Sequence, residues 1–199
     1  MRRIITSISG HGESGKDEFA KMLAEITGFS FLTSTSEIVK WAWWSEIQKG
    51  LWARNRGGPG PLPGCERIAI EPDEYTSIDD FYADRRNRRD WWERYIGSYN
   101  TFYDPEEGIA TYKRTIEAGN DFLCGIRQAR EFSQCRKSLI DFAVWVERPG
   151  IPIDPTQEYG ADQCDLVINN DGSLADLRTA AEKVASFNLL PLLFDDLRR

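Results

Sequence analysis

The chain has 199 residues, with 25 lysines and arginines against 32 aspartates and glutamates and a formal net charge of −7. This length is typical of one α/β domain with a full hydrophobic core, and we expect a single domain over residues 1–199. The acidic balance argues against broad nonspecific adhesion to nucleic acid, but it leaves room for a local basic site.

No apolar run approaches the roughly 18 residues that a membrane span needs, so we expect no membrane partner. Met1-Arg2-Arg3 leads into a predicted strand, and we see no signal peptide. The four cysteines are scattered without C-x-x-C spacing, which predicts neither a disulfide framework nor a zinc site. These features together predict a cytoplasmic protein.

The first structural signal is the stretch IITSISGHGESGKDEFA, residues 4–20. Its apolar start predicts a buried parallel strand, and an amphipathic helix follows Lys16. Between them lies the pattern G-x-x-x-x-G-K, residues 10–16, which we call the glycine loop. Backbone N–H groups and the helix N-terminus of such a loop surround an anion, and the lysine reaches the β- and γ-phosphates.

The glycine loop therefore predicts a site for a nucleoside triphosphate. The alternative, a glycine-rich turn with a solvated lysine, leaves three glycines in a strand-to-helix connection as coincidence. The residues that we expect to bind the phosphates are Gly10, His11, Gly12, Glu13, Ser14, Gly15, Lys16 and Asp17. His11 is interpreted as a residue that shapes the backbone or faces solvent rather than as a catalyst.

Asp17 stands where such loops normally carry the Ser or Thr that coordinates Mg²⁺. A carboxylate can ligate Mg²⁺ directly or through water, because hard cations prefer oxygen ligands. An acidic residue in the first turn of a helix is also stabilised by the macrodipole without any metal. Both interpretations stay open, and Asp17 is the predicted metal ligand.

Gly28 is expected to end the first helix, and residues 29–33 predict a short second strand. A helix from Ser34 or Ser36 to Leu51 follows, and its tryptophans either belong to the core or border a cleft. The stretch RNRGGPGPLPG, residues 54–64, has no prospect of regular structure and is interpreted as a flap. We treat residues from about 54 to 77 as an insertion.

Residues 78–99 predict one long helix whose middle, RRNRRDWWERY, combines five arginines with aromatic rings. Helical spacing places Arg85, Arg88, Arg89 and Trp92 roughly on one side. Such a face can bind phosphates bidentately and offer rings for stacking on bases, so we interpret it as the acceptor-binding surface. The alternative is a solvated basic helix whose arginines pair with neighbouring acidic residues.

Strands and helices alternate in the rest of the chain. The pattern predicts a helix from Asp104 to Gly119, strands at 121–126, 142–146 and 166–168, a helix containing Arg130 and Glu131, and a last helix from Ser173 to Val184. Such alternation predicts an α/β fold with a parallel sheet covered by helices on both faces.

Ligands bind beyond the carboxyl ends of parallel strands. This rule gathers the glycine loop, Arg127, Arg148 and the pair Asn169-Asn170 at one edge of the predicted sheet. A proline-containing loop at about 148–163 lies at the same edge and is interpreted as a lid.

Several segments together support a family resemblance: the S-G-K-D form of the glycine loop, RDWWERYIG at residues 89–97, Arg127 before x-x-x-E, W-V-x-R-P at 145–149, and D-x-x-I-x-N-x-G-S-L at 165–174. With these segments the chain resembles phage deoxynucleoside monophosphate kinases. It also resembles the related phage kinases that phosphorylate 5-hydroxymethyluracil within DNA during thymidine hypermodification.

The resemblance implies a P-loop NTPase fold of the nucleoside-monophosphate-kinase-like class, with ATP and Mg²⁺ as cofactors. It implies that the ATP phosphates lie on residues 10–16 and the adenine near Asn169-Asn170, and that the acceptor lies against residues 85–94. Lys16, Arg127 and Arg148 would be catalytic, with the two arginines neutralising the phosphoryl group in transfer. The Gly-Ile-Arg sequence that ends at Arg127 is closer to the DNA-acting relatives.

Three functions stay open. The first is transfer of the γ-phosphate of ATP to the hydroxymethyl group of 5-hydroxymethyluracil in phage DNA, with the base flipped out. Asp84, Asp90 and Glu93 are then candidates to orient or deprotonate the hydroxyl. The second is a free deoxynucleoside monophosphate kinase, whose anionic acceptor needs no base. The third is a nucleotide-binding protein without transfer activity.

Overall fold

The structure is a computed structural model that describes residues 3–31, 38–40, 42–43, 75–84 and 87–192. The chain divides into two compact units, one of Met1–Ser34 with Tyr112–Arg199 and the other of Thr35–Thr111. The predicted single domain and the insertion at about 54–77 stay predictions, and the proposed flap lies outside the described residues. No helix in the described ranges combines the length and apolar character needed to cross a membrane.

The first unit is built on a parallel sheet of four strands in the order β2-β1-β3-β4. The strands are β1 (Thr6–Ser9), β2 (Phe122–Cys124), β3 (Phe142–Glu147) and β4 (Leu166–Asn169). Each lies where the hydrophobic pattern predicts a strand. The strand predicted at 29–33 is not found in its described part, residues 29–31. There, the backbone oxygen of Ser30 instead accepts a hydrogen bond from the N–H of Asp121 at 2.9 Å.

The described helices are α1 (Lys16–Thr27), α2 (Ile78–Ala83), α3 (Arg89–Tyr103), α4 (Ala110–Glu117), α5 (Ala129–Ser138) and α6 (Leu174–Val184). A π-helical stretch, Ala185–Leu189, continues α6, and residues 38–40 of the helix predicted after Ser34 or Ser36 are helical. The rest of that predicted helix lies outside the described residues, apart from residues 42 and 43.

Helices cover both faces of the sheet, as the alternation predicts. On one face, Phe19 and Leu23 of α1 and Leu177 of α6 pack with Ile8 and Val144 in one buried cluster. On the other face, Phe132 of α5 stacks on Tyr159 at 4.0 Å between ring centroids, and Tyr159 meets the ring of Trp145 at 6.0 Å. Since side chains alternate along a strand, both faces of β3 are buried.

Local capping signals locate two helix ends correctly. Gly28 ends α1 in a left-handed conformation with φ of 73°. Ser173 begins α6 with a capping box, in which its hydroxyl accepts from the N–H of Asp176 and the Asp176 carboxylate accepts from the N–H of Ser173.

The single helix predicted over residues 78–99 is wrong, because α2 ends at Ala83 and α3 begins only at Arg89. The carboxylate of Asp84 accepts hydrogen bonds from Asn87 Nδ2 at 2.7 Å, from Arg88 Nε at 2.7 Å, and from the Tyr75 hydroxyl. These bonds favour a turn over a continued helix. They also lower the pKa of Asp84, the Tyr75 hydroxyl most of all.

The helix start predicted at Asp104 is also wrong, because α4 begins at Ala110. The N–H of Asp104 donates to the carbonyl oxygen of Asn100 at 2.9 Å, so Asp104 caps the end of α3. The side-chain oxygen of Asn100 accepts the N–H of Thr111 at 2.8 Å, within the first turn of α4. The capping residue of α4 therefore comes from the preceding helix.

Aromatic side chains form the core of the second unit. We call this group the aromatic cluster; it consists of Tyr75, Phe81, Trp91, Trp92, Tyr95 and Tyr99. The rings of Phe81 and Trp92 lie 5.0 Å apart, and Trp91 stacks on Tyr95 at 5.0 Å. Trp43 packs against Phe81 at 5.8 Å, which favours a core role for this member of the predicted tryptophan-rich helix.

We expect Ser173→Ala to lower the free energy of unfolding by about 1 kcal/mol, because it removes the N-cap of α6. For a protein of this size that corresponds to a fall in Tm of roughly 2–4 °C, measurable by thermal unfolding. Thr179→Ala, an exposed hydroxyl within the same helix, is the control. An equal loss in both variants would mean that the cap contributes nothing.

We expect Asp84→Asn to destabilise the protein by about 1–2 kcal/mol at pH 7, because hydrogen bonds to a charged acceptor are replaced by neutral ones. The lowered pKa makes this contribution fully present above the unfolded pKa of about 3.9, and it is lost as pH falls through the folded value. In urea unfolding from pH 7 to 3, the gap between wild type and variant should close below about pH 4. A gap that is constant with pH would contradict this.

Candidate functional site

The glycine loop lies at the topological switch point of the sheet. It joins β1, which pairs with β2 on one side and β3 on the other, to the first residue of α1. In open parallel sheets, ligands bind outside the carboxyl ends of the strands at such a point. The strand, loop and helix context that the pattern predicts is therefore present.

Two glycines of the loop occupy positions where no other residue fits. Gly15 has φ of 90°, and a Cβ there would collide with the side-chain amide of Asn170. Gly10 has φ of 149°, and a Cβ there would strike the carbonyl oxygen of Val146 and lie 2.7 Å from Ser14 Oγ. Backbone conformation and close approach thus both require glycine at these positions.

Asn170 holds the glycine loop from the end of β4. Its Nδ2 donates to the carbonyl oxygen of Ser14 at 2.8 Å, and its N–H donates to the carbonyl oxygen of Glu147 at 2.7 Å. Sequence reasoning predicted adenine contacts for Asn169 and Asn170, and it missed this bond to the loop. Asn169 is exposed, and the adenine contact stays a prediction.

Lys16 opens α1 with its side chain only 11% exposed, and its Nζ lies 3.8 Å from the carboxylate of Asp17, which is 60% exposed. Asp17 lies in the first turn of α1, as the macrodipole interpretation expects. Within the described residues, no three His, Cys, Asp or Glu side chains group as a metal site. One exposed carboxylate still suits Mg²⁺, which keeps several waters and takes further oxygens from substrate phosphates.

Ser14 is fully buried in the loop, and its hydroxyl has no hydrogen-bond partner among the described residues. Its N–H donates to the carbonyl oxygen of His11 at 3.3 Å and closes a turn. A buried hydroxyl without a partner costs about 1–3 kcal/mol, so it is a group that a ligand oxygen would stabilise.

His11 contacts the protein on two sides. Its Nδ1 accepts the backbone N–H of Asp154 at 3.3 Å, and its ring meets Trp145 edge to face at 5.3 Å. These contacts support the interpretation of His11 as a residue that shapes the loop.

Arg127 follows β2 and forms an ion pair with Asp154. Its Nη1 donates to Asp154 Oδ2 and, at 3.0 Å, to Thr156 Oγ1. Asp154 lies within the loop at about 148–163 that the sequence predicts as a lid, and nothing in the sequence indicates this pair. A separation of 27 residues carries no periodic signal that could have revealed it.

The segment predicted as a lid, residues 148–163, is attached to the first unit at several points. Besides the contacts of Asp154, the hydroxyl of Tyr159 lies 2.5 Å from Ser9 Oγ and donates to the carbonyl oxygen of Ile126 at 3.0 Å. Burial raises the pKa of Tyr159, so this hydroxyl stays protonated. Arg148 is exposed at the start of the segment, and its catalytic role and the opening of the lid stay predictions.

The predicted acceptor residues belong to the second unit, apart from Arg85, which lies outside the described residues. Arg88 Nε lies 2.7 Å from Asp84, and Arg89 Nε lies 3.3 Å from Glu93. Trp92 is only 5% exposed within the aromatic cluster, whereas the side chain of Arg89 is 42% exposed. Pairing with neighbouring acids matches the alternative interpretation, and acceptor binding stays a prediction.

Neither a protein-family model nor a curated protein matches the chain. Similar solved structures include a sugar kinase from Janibacter sp., at 13% identity and a TM-score of 0.43, over 94% of this chain and 96% of that chain. They also include TT1252 from Thermus thermophilus, at 16% identity and a TM-score of 0.45, over 94% of this chain and 98% of that chain. These similarities are too distant to assign an activity.

We expect Gly15→Ala to weaken binding of inorganic tripolyphosphate at least tenfold, because the methyl group must displace Asn170 and adopt a left-handed conformation. Isothermal titration calorimetry measures the affinity. Gly28→Ala is the matched control, since it has φ of 73° but no atom within 4 Å of the added Cβ. It should lower stability and leave the affinity unchanged. Equal weakening in both variants would show that the loop is not the binding site.

Proposed function

We propose that this protein is an ATP-dependent phosphotransferase with a phosphate-binding glycine loop. The observation that carries the proposal is the loop itself: left-handed glycines at residues 10 and 15, a buried and unpartnered hydroxyl at Ser14, and Lys16 at the first turn of α1. Together these features supply backbone donors, a helix N-terminus and one cation at a sheet edge where ligands bind.

The proposed reaction is displacement at the γ-phosphorus of ATP. An acceptor oxygen forms a new bond to phosphorus, the bond to the β,γ-bridging oxygen breaks, and ADP leaves with that electron pair. Lys16 and the loop amides bind the phosphate oxygens, while Arg127 and Arg148 offset charge on the phosphoryl group in transfer. Mg²⁺, when bound, would neutralise phosphate charge, with Asp17 as its protein ligand.

For the acceptor, we propose the hydroxymethyl group of 5-hydroxymethyluracil in DNA. The resemblance of the Gly-Ile-Arg sequence that ends at Arg127 to the DNA-acting kinases supports it. The hydroxyl proton must pass to a base. Asp84 has a lowered pKa and is a weak base, and Glu93 pairs with Arg89. Asp90 is exposed and is the candidate that we favour.

A free deoxynucleoside monophosphate is the second candidate acceptor. The net charge of −7 and the carboxylate partners of Arg88 and Arg89 favour a small anion over a polyanion, since less cationic charge is left for DNA phosphates. An acceptor phosphate is already ionised and requires no base. A nucleotide-binding role without transfer is the third outcome of the test below.

The test offers ATP labelled at the γ-phosphate to DNA that contains 5-hydroxymethyluracil and, separately, to the canonical deoxynucleoside monophosphates. We expect label in the polymer; label in free diphosphates would support the second acceptor, and label in neither would support the third function. Nonhydrolysable ATP analogue bound away from the glycine loop in a crystal would overturn the proposal as a whole.

We expect Lys16→Ala to lower the transfer rate by at least about 100-fold, because a desolvated cation on the phosphates is lost. Lys21→Ala is the matched control in the same helix; its Nζ is exposed and lies 3.5 Å from Glu18. It should retain full activity. Transfer at the wild-type rate by the Lys16 variant, with an unchanged circular dichroism spectrum, would show that the site is misplaced.

A further inference from the structure

Within the part of the chain that the structure describes, Arg127 makes its side-chain hydrogen bonds from one end of the guanidinium group. Both contacts run from Nη1, to Asp154 and to Thr156. Among the residues that the structure describes, Nε and Nη2 make no hydrogen bond, although a guanidinium carries five N–H donors in a planar fork. The side chain of Arg127 is 30% exposed.

Asp154 is itself held firmly. Its carboxylate is 4% exposed, and Oδ1 accepts both the N–H of Thr156 at 3.1 Å and its hydroxyl at 2.8 Å. A buried carboxylate is stable only when it is paired and hydrogen-bonded, and here the guanidinium supplies the opposite charge. The Asp154 carboxylate is therefore a fixed, negatively charged partner for Arg127.

Asp154 also contacts the glycine loop. Its N–H donates to His11 Nδ1 at 3.3 Å, and its Oδ2 lies 3.8 Å from where a Cβ on Gly12 would be. The group that holds Arg127 is thus the group that lies against the predicted phosphate site. One residue joins the end of β2, the loop after β1 and the segment after β3.

We propose that Asp154 is a positioning residue: with Thr156 it holds Nη1 of Arg127 so that Nε and Nη2 face the terminal phosphate bound by the glycine loop. The inference rests on the proposed function, since it requires a nucleotide on that loop. Holding a long side chain in advance lowers the entropy lost when it binds an oxyanion. Asp154 does not act as a base here, because its carboxylate is buried and occupied by the guanidinium.

The experiment compares the affinity of wild type and variants for ADP and for a nonhydrolysable ATP analogue, by calorimetry with Mg²⁺ present. Asp154→Asn keeps the backbone bond to His11 and an acceptor for Thr156, but it removes the negative charge that pairs with Arg127. We expect this variant to bind the ATP analogue about tenfold more weakly than wild type and ADP less than about twofold more weakly, since only the analogue has the γ-phosphate. Arg127→Gln should show the same pattern, and the double variant should weaken the analogue no further.

Asp165→Asn is the control, because Asp165 also pairs with an arginine that is 30% exposed, Arg136, at 2.8 Å, although the Asp165 side chain is 34% exposed and that of Asp154 only 4%. It should change neither affinity. If Asp154→Asn does not fold, Thr156→Val is decisive: it removes the second contact on Nη1 and should weaken the analogue about threefold relative to ADP. Unchanged discrimination in that variant would overturn the inference.

Failure of the inference differs from failure of the proposed function. Wild type that binds neither ligand would refute both. Wild type that binds both, with Asp154→Asn weakening ADP and the analogue equally or not at all, would refute only the positioning role. Losses in Asp154→Asn and Arg127→Gln that multiply in the double variant would also refute it, because they would show independent actions.

Discussion

The hydrogen bond from Asn170 to the carbonyl oxygen of Ser14 is the contact on which the candidate site depends. It satisfies a backbone acceptor in a loop that has no regular partner, and it brings the side-chain amide so close that a Cβ on residue 15 would have to displace it. The loop conformation is thus determined from outside, by a residue that follows the last strand. Lys16 and the first turn of α1 follow directly after the loop, so the bond from Asn170 also fixes their position.

Electrostatic organisation at this edge of the sheet follows from topology rather than from local sequence. Parallel strands place their carboxyl ends side by side, so the residues after β1, β2 and β3 meet there. His11, Arg127 and Asp154 each belong to a different one of these connections, and Asp154 contacts both of the other two. This arrangement pairs the guanidinium of Arg127 with Asp154 and Thr156 through Nη1.

Features signalled by neighbouring residues could be predicted, and features that depend on distant partners could not. The glycine loop, the buried strands and the Ser173 cap were identified because their signals lie within a few residues. The turn at Asp84 was missed, because five arginines and aromatic residues at helical spacing outweigh one carboxylate until its partner Tyr75 is known. Trp92 is buried because it packs against Phe81, and Arg127 meets Asp154 because the sheet brings their two connections together. Neither contact is indicated by the spacing of residues along the chain.

The long separation between Ser14 and Asn170, 156 residues, has a consequence for how the protein is made. β1 has no hydrogen-bonded neighbour until β2 emerges, and the glycine loop lacks the hydrogen bond from Asn170 until β4 is complete. At translation speeds of roughly 5–20 residues per second, the amino-terminal strand waits on the order of ten seconds on the ribosome with its edges unpaired. The amino-terminal strand is therefore exposed to misassociation until β2 is made, and the glycine loop gains its contact with Asn170 only when β4 is complete.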